Sequence, residues 1–105
     1  MDRLKGMLSL AAKAGKIVSG ETAVRDAIKK NKAVLLLAEK NASANTQDRM
    51  GKLSAAYDLP LIQVENLGQG IGHPDRTMAA LCDKGFGDAV RKIYEQQTLN
   101  GGAES

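Results

Sequence analysis

The sequence has few of the residues from which disulfide, metal and catalytic sites are built. It contains one cysteine, one histidine, one phenylalanine, two tyrosines and no tryptophan. The single Cys82 excludes an intramolecular disulfide, which is typical of a reducing compartment such as the cytoplasm. One cysteine and one histidine cannot fill a zinc site without carboxylates, so we expect no metal and no cofactor. We also expect Cys82 to be a buried, unreactive thiol and His73 to be an exposed loop residue rather than a general base.

Long apolar runs are also absent. The longest, from Ala33 to Ala38, is far shorter than the about 20 residues that a membrane-spanning helix needs. Lys5 and Lys13 interrupt the N-terminal apolar stretch, which is typical of an amphipathic helix and not of a signal peptide. A chain of 105 residues can bury one core. We therefore predict a monomeric, cytoplasmic protein with one domain over residues 1–97 and a flexible polar tail at residues 98–105.

Charge is distributed unevenly along the chain, whose net charge is +3. Residues 1–52 contain eleven lysines and arginines and five acidic residues, a balance of +6, so residues 53–105 carry −3. A concentrated basic region is typical of proteins that bind a polyanion such as a nucleic acid. A solvated, lysine-rich surface without a partner is the alternative interpretation of the same charge.

The spacing of apolar residues predicts alternating helices and strands. Apolar residues from Leu4 to Ala12 repeat with helical periodicity, and Gly15 is placed to end that helix. Ser19 is placed to cap a second helix, and Asp83 to cap the last one. The continuous apolar run at residues 33–38 is typical of a central strand covered on both faces.

The remaining elements follow from similar signals. Further strands are predicted at Lys16–Val18, Leu61–Val64 and Arg76–Cys82, and further helices at Ser43–Tyr57 and at Leu67–Ile71 with Asn66 as its cap. The order is helix, short strand, helix, strand, helix, strand, short helix, strand, helix. Such alternation predicts an α/β fold with a sheet of about four strands and helices on both faces.

A glycine-rich segment, Glu65–Pro74, follows one of the predicted strands. Its glycines are spaced G-x-G-x-G and not G-x-G-x-x-G, and Pro74 leaves no room for the long helix that a dinucleotide-binding turn requires. A small nucleotide-dependent enzyme that uses this loop stays as one alternative. No other cluster of residues indicates catalysis, so we expect a protein that is not an enzyme.

The features that point to a ligand are the basic half, the start of the second helix and the glycine-rich segment. A helix N-terminus offers free backbone N–H groups and a positive dipole end, which suits phosphate, and Lys16 and Arg25 add charge near it. Phe86, Tyr57 and Tyr94 all fall on predicted core stripes, so an aromatic platform for stacking bases is not expected. Folded RNA, which is recognised by shape and phosphate contacts, fits these features.

Four segments of the sequence resemble a known family in their order and spacing. They are Leu8–Glu21 (LSLAAKAGKIVSGE), Lys32–Glu39 with Ala42–Thr46, Leu67–Gly72 (LGQGIG) and Asp83–Phe86 (DKGF). The resemblance is to the kink-turn-binding ribosomal proteins of the L-seven-Ae and L-thirty-e type, and within them to the small bacterial YlxQ-like members. It covers roughly residues 3–95. It implies a three-layer α/β/α sandwich with a mixed sheet of about four strands.

The resemblance also implies a binding site for structured RNA, either a kink-turn or a related internal loop, in a ribosomal or translational setting. In the family a Gly-x-Asn-Glu-x-x-Lys pattern at the second helix grips the RNA; here its positions hold Gly20, Thr22, Ala23 and Asp26. The family's second, apolar contact loop falls on His73–Asp75, which is polar. The predicted contacts are Lys16, Ser19, Gly20, Glu21, Thr22 and Arg25 in one region and Gly70, Ile71, Gly72 and His73 in another. A protein-interaction module that kept the fold and lost its RNA site is the second alternative.

Overall fold

The computed structural model describes residues 3–104, with side-chain surroundings described for residues 3–98. The helices are α1 (Arg3–Lys13), α2 (Glu21–Lys29), α3 (Ala44–Tyr57), α4 (Leu67–Ile71) and α5 (Lys84–Glu104). The strands are β1 (Ile17–Ser19), β2 (Leu35–Glu39), β3 (Leu61–Val64) and β4 (Met78–Leu81). The predicted order of elements is therefore confirmed. No helix within the described residues is both long and apolar enough to cross a membrane.

The four strands form one mixed sheet with the order β1-β4-β2-β3. Strand β4 pairs antiparallel with β1 and with β2, whereas β2 and β3 pair in parallel. Strands β1, β2 and β3 therefore end at one edge of the sheet, where β4 begins. We call this the carboxyl edge, and the opposite edge, where β1, β2 and β3 begin and β4 ends, the amino edge.

Two apolar cores cover the two faces of the sheet, and they give the predicted three-layer α/β/α sandwich. Helices α1, α4 and α5 pack on one face, and helices α2 and α3 pack on the other. Strand β2 serves both cores, because Leu35 and Leu37 point to the first while Leu36 and Ala38 point to the second. This explains its unbroken apolar run, since a strand buried on both faces has no polar side.

Several helix ends follow the predicted signals. Gly15 has a φ of 73°, and the N–H of Lys16 donates to the Ala11 carbonyl at 2.9 Å, which closes α1 as a glycine C-terminus does. The Ser43 hydroxyl accepts from the N–H of Thr46 at 3.2 Å and begins α3. The Asp83 carboxylate accepts from the N–H of Phe86 at 2.9 Å and begins α5.

Two predicted caps are wrong. Ser19 is the last residue of β1, and Gly20 holds the N-cap position of α2 without any side-chain cap. Asn66 lies before α4 with a φ of 54°, but its side chain does not cap the helix. The Glu39 carboxylate caps it instead, by accepting from the N–H of Leu67 at 2.9 Å.

Other differences concern element lengths and exposure. Strand β4 begins at Met78 and not at Arg76, so residues 76 and 77 lie before the strand. Tyr57 was expected in the core, but its side chain is 49% exposed. Helix α5 runs to Glu104, across most of the tail predicted at residues 98–105; Ser105 lies outside the described residues, and the flexibility of the tail stays a prediction.

Candidate nucleic-acid interface

The carboxyl edge gathers the starts of three helices. Helix α2 follows β1, α3 follows β2 and α4 follows β3, and the loop that precedes β4 runs between them. Every helix start carries backbone N–H groups without an intrahelical partner, so this edge collects hydrogen-bond donors. The three starts differ, however, in what satisfies those donors.

The starts of α3 and α4 are occupied by the protein's own side chains. Ser43 caps α3, and Glu39 places a carboxylate oxygen on the N–H of Leu67. A carboxylate at the α4 start repels a phosphate, so the glycine-rich segment does not offer the anion site that the nucleotide alternative needs. Its Gly68 has a different role: a Cβ there would come within 2.5 Å of the His73 carbonyl oxygen and 2.7 Å of the Pro74 carbonyl oxygen. The glycine lets the loop fold back onto α4.

The start of α2 has no such side chain. Gly20 has φ 92° and ψ 150°, a conformation that is open almost only to glycine, and it has no side chain that could cap α2. Its N–H donates to the Met78 carbonyl at 3.0 Å, which ties it to the first residue of β4. No side chain of the described residues caps the first turn of α2, and the Glu21 carboxylate in that turn is bound by two arginines, so the turn can still accept an anion.

Arg76 lies directly over this helix start. A Cβ built on Gly20 would be 3.1 Å from Arg76 Nη1 and 3.4 Å from its Cζ, so the guanidinium rests on the glycine. A surface depression beside it is lined by Ser19, Gly20, Glu21, Thr22, Ala23, Asp26 and Arg76. The sequence pattern does not single out Arg76, because it sits next to a strand in sequence and meets α2 only through the pairing of β1 with β4. Thr22 is exposed at the rim of the depression, where its hydroxyl is open to a ligand.

A charged cluster joins α2 to α3 beside the depression. The Glu21 carboxylate accepts from Arg25 Nε at 2.9 Å and from Arg49 Nη1 at 2.6 Å. The hydrogen bond from Arg25 is the main reason why the pKa of Glu21 lies below its usual value, and Arg49 adds to it while loss of solvent acts in the opposite direction. Both arginines stay nearly half exposed, so their remaining N–H donors can reach a phosphate. Arg49 is a second site residue that spacing along the sequence cannot reveal.

Asp26, at the lysine position of the family pattern, faces the same depression. Its carboxylate pairs with Lys30 Nζ at 3.1 Å, one turn further along α2. This pair partly compensates the negative charge, although both side chains are more than half exposed and the pair is weak. Lys30 thus reduces the repulsion that Asp26 exerts on a phosphate.

Lys16 does not belong to this edge. It precedes β1, whereas Gly20 follows it, so the two residues lie at opposite ends of the strand, about 13 Å apart at the rise of a β-strand. The prediction that Lys16 and the α2 start form one contact region is wrong in this respect. The sequence pattern does not reveal this separation, because Lys16 and Gly20 are only four residues apart in sequence, but an extended strand places them far apart.

The second predicted contact region is only partly at the surface. Ile71 is 5% exposed and packs in the core with α1, although it also lines a surface depression, so its contact with RNA stays a prediction. Gly70 and Gly72 line a separate depression against α1, which shares no lining residue with that of Gly20. His73 is exposed, and its carbonyl accepts from the N–H of Arg76 at 3.0 Å, so it lies in the loop that carries the arginine to α2.

Features that would indicate chemistry are few in the part of the chain that the structure describes. No group of three or more histidine, cysteine, aspartate or glutamate side chains there could hold a metal ion. Cys82 is half-buried, and this burial raises the pKa of its thiol while the charge of Lys32 opposes the shift. At neutral pH the thiol is therefore protonated and weakly nucleophilic.

The fold and this edge define a class: a small α/β/α sandwich that presents an open helix start with an arginine beside it. The chain belongs to the ribosomal protein L7Ae/L30e/S12e/Gadd45 family, whose sequence profile matches residues 2–91. The resemblance stated from the four sequence segments is thereby confirmed.

Individual relatives place the chain within this family. It is 36% identical over 92 residues to the RNA-binding protein YlxQ of Bacillus subtilis (strain 168). The match covers 85% of this chain and 92% of that protein. It is 28% identical over 92 residues to the RNA-binding protein YlxQ of Enterococcus faecium, covering 85% and 88%. The chain is thus a YlxQ-like member, and both of these relatives are bacterial.

Solved structures show the same fold. A protein of unknown function from Bacillus halodurans C superimposes with a TM-score of 0.83 and 23% identity, over 90% of this chain and 99% of that chain. The 15.5kD RNA binding protein of Giardia lamblia gives a TM-score of 0.72 and 16% identity, over 89% and 82%. At these identities the likeness concerns the fold alone.

Proposed function

We propose that this chain binds structured RNA, of the kink-turn or a related internal-loop class, without catalysing a reaction. The observation that carries the proposal is the open start of α2 with Arg76 on it, at the carboxyl edge of an L7Ae-family fold. The names of the two YlxQ relatives support it, since both are RNA-binding proteins. A monomer associated with the ribosome or with translation in the cytoplasm is the setting that we propose.

The binding mechanism is recognition of shape and phosphate position. The first turn of α2 and Arg76 line the same depression, so one phosphate bound there can accept from the backbone N–H groups and from the guanidinium. The Thr22 hydroxyl lies at the rim, where it can accept from or donate to a base edge. Arg25 and Arg49, which the Glu21 carboxylate holds in place, contact the neighbouring phosphates of the RNA backbone. Phosphate contacts of this kind fix the position of the protein on the RNA, and the bent shape of the RNA accounts for the preference over a straight duplex.

The test is a comparison of two RNAs in fluorescence-anisotropy titrations at the same salt concentration. We expect a kink-turn RNA to bind at least about tenfold more tightly than a straight duplex of equal length, a difference of about 1.4 kcal/mol. Equal binding of the two RNAs would contradict kink-turn specificity.

A variant connects this preference to the site. Arg76→Ala removes a charge-assisted contact at the α2 start, and we expect the kink-turn affinity to fall by about tenfold. Arg91→Ala on the exposed surface of α5 removes the same charge away from the edge and is the matched control. If both variants lose affinity equally, the effect is one of net charge and the placement of the site is wrong.

A further inference from the structure

The amino edge of the sheet carries a second concentration of positive charge, opposite to the proposed RNA site. Six lysines lie at this edge or at the helix ends that reach it: Lys13, Lys16, Lys29, Lys30, Lys32 and Lys84. All six side chains belong to exposed residues. The question is which of them have a role in the fold and which do not.

Half of these lysines are explained by the fold. Lys13 and Lys29 stand in the last turns of α1 and α2, where a cation is favourable to the helix dipole. Lys30 pairs with Asp26. The other three, Lys16, Lys32 and Lys84, have no ion-pair partner among the described residues.

These three lysines converge on the end of one strand. Strand β4 lies between β1 and β2, and the N–H of Cys82 just after it donates to the Lys16 carbonyl at 2.7 Å. On the other side the N–H of Val34 donates to the Leu81 carbonyl at 2.8 Å, which brings the Lys32 segment to the same strand end. Lys32 is close enough for its charge to act on the Cys82 thiol. Lys84 follows two residues later. Because β1 and β2 flank β4, Lys16 precedes one neighbouring strand of β4 and Lys32 precedes the other.

The placement of these charges is unfavourable to the fold itself. Lys84 stands in the first turn of α5, at the positive end of the helix dipole, and that turn contains no acidic residue. The Asp83 carboxylate beside Lys84 accepts from the N–H of Phe86 and keeps its negative charge, so it compensates part of the positive charge at this strand end. Three lysines still outnumber this one carboxylate, so an external anion would reduce the repulsion that remains among them.

We propose that Lys16, Lys32 and Lys84, here called the lysine triad, form a second RNA contact surface that binds the phosphate backbone without regard to sequence. Double-stranded DNA carries about one negative charge per 1.7 Å of its axis, and duplex RNA is also densely charged, so the lysine triad can meet several phosphates. The choice of RNA as the polyanion rests on the proposed function. The two surfaces lie at opposite edges of the sheet, so one protein can contact two RNA segments, the bent motif at one edge and a neighbouring helix at the other.

The first test measures each lysine separately. The full chain is acetylated with and without a straight RNA duplex at low salt, and mass spectrometry gives the modification of every lysine. We expect RNA to protect the lysine triad several-fold and to leave Lys52 and Lys92, which are exposed on α3 and α5, unchanged. Protection of the triad that is no greater than that of Lys52 and Lys92 overturns the proposal.

The second test measures the salt dependence of affinity. The triple variant Lys16→Ala, Lys32→Ala, Lys84→Ala is compared with the matched triple variant Lys52→Ala, Arg91→Ala, Lys92→Ala, which loses the same charge elsewhere. Each phosphate contact with duplex DNA contributes about 0.9 to the steepness of log affinity against log salt, so we expect the loss of three contacts with the straight RNA duplex to lower the steepness by about 2 to 3. Equal slopes in the two variants would mean that the triad is a solvated surface only.

The two proposals can fail separately. The triad variant is expected to keep the ratio of kink-turn to straight-duplex affinity, because that ratio depends on the α2 start. A wild-type protein with a protected triad and no kink-turn preference contradicts the kink-turn function and supports the triad. A kink-turn preference with an unprotected triad supports the kink-turn function and contradicts the second contact surface. Absence of binding to either RNA overturns both.

Discussion

Gly20 is the residue on which the geometry of the proposed RNA site depends. Its φ of 92° turns the chain from β1 into α2, and its missing side chain leaves room for the Arg76 guanidinium. Serine is a common N-cap residue, and an acidic residue follows Ser19 two positions later, which is why the sequence favours Ser19 as the cap. The pairing of β1 with β4 prevents Ser19 from capping α2, because it keeps Ser19 in the strand opposite Ala79. The sequence analysis selects Gly20 as a site residue, but it does not indicate that Arg76 contacts this glycine.

Replacing this glycine tests the role of its conformation. Gly20→Ala is expected to lower the free energy of unfolding by about 1 to 3 kcal/mol, because alanine is strained at this φ and ψ. Its Cβ also displaces Arg76, so kink-turn affinity is expected to fall in the same variant. Urea denaturation and anisotropy titration give the two quantities.

Gly6→Ala is the matched control for that measurement. Gly6 lies inside α1 with nothing within 4 Å of the position that an added methyl group would take, so the change is expected to stabilise the protein by about 0.5 to 1 kcal/mol. A Gly20→Ala protein as stable as Gly6→Ala would show that the conformation at Gly20 is not constrained.

At the scale of elements, helix α2 is held in place by both packing and charge. Val24, Ala27 and Ile28 are buried against the sheet, and Glu21 joins Arg25 of the same helix to Arg49 of α3. Apolar spacing predicts the buried stripe, since periodicity follows directly from helix geometry. The link to α3 is a tertiary contact across 28 residues, and no local pattern indicates it.

The pH dependence of stability tests this link. The pKa of Glu21 is lowered in the folded protein, so its contribution is fully present above the unfolded pKa of about 4.3 and is lost as the pH falls through the lower, folded pKa. We expect Glu21→Gln to lower the melting temperature at about pH 7 and to have little effect at about pH 2, where the wild-type carboxyl is protonated too.

Asp48→Asn is the control for the pH experiment. Asp48 pairs with Lys52 within α3, in the more exposed of the two pairs, and does not connect two helices. A smaller effect at about pH 7 is therefore expected from its loss. A Glu21→Gln protein that melts at the wild-type temperature at about pH 7 would show that the cluster does not stabilise the packing of α2 on α3.

At the scale of the whole molecule, the sheet places two separate groups of positive side chains at opposite edges. Apolar runs and periodicity predict which elements exist, and the family motifs predict their three layers. The strand order β1-β4-β2-β3 decides which residues meet, because it brings Arg76 to α2 and places Lys16 beside Cys82. Contacts of this kind depend on strand pairing between distant segments, so the lysine triad and the Arg76 site both emerge only from the folded chain.

The two edges differ in how they would contribute to RNA binding. The proposed RNA site at the carboxyl edge contains Glu21 and Asp26 as well as arginines, so its preference for one RNA over another must come from the geometry of the site. The lysine triad at the amino edge would contribute electrostatic attraction to phosphate without selecting the shape of the RNA. An RNA ligand that spans both edges would combine a position-specific contact with a salt-sensitive one.

The most direct measurement is ultraviolet crosslinking of the protein to RNA in living cells, followed by sequencing of the recovered RNA. It compares the wild type with an edge variant, Arg49→Ala with Arg76→Ala, and with a control, Arg91→Ala with Lys92→Ala. We predict that the wild type and the control recover the same structured RNAs well above background, and that the edge variant recovers several-fold less. Background recovery by the wild type, or equal recovery by the edge variant, would contradict RNA binding at the α2 start and favour a protein-interaction module on the same fold.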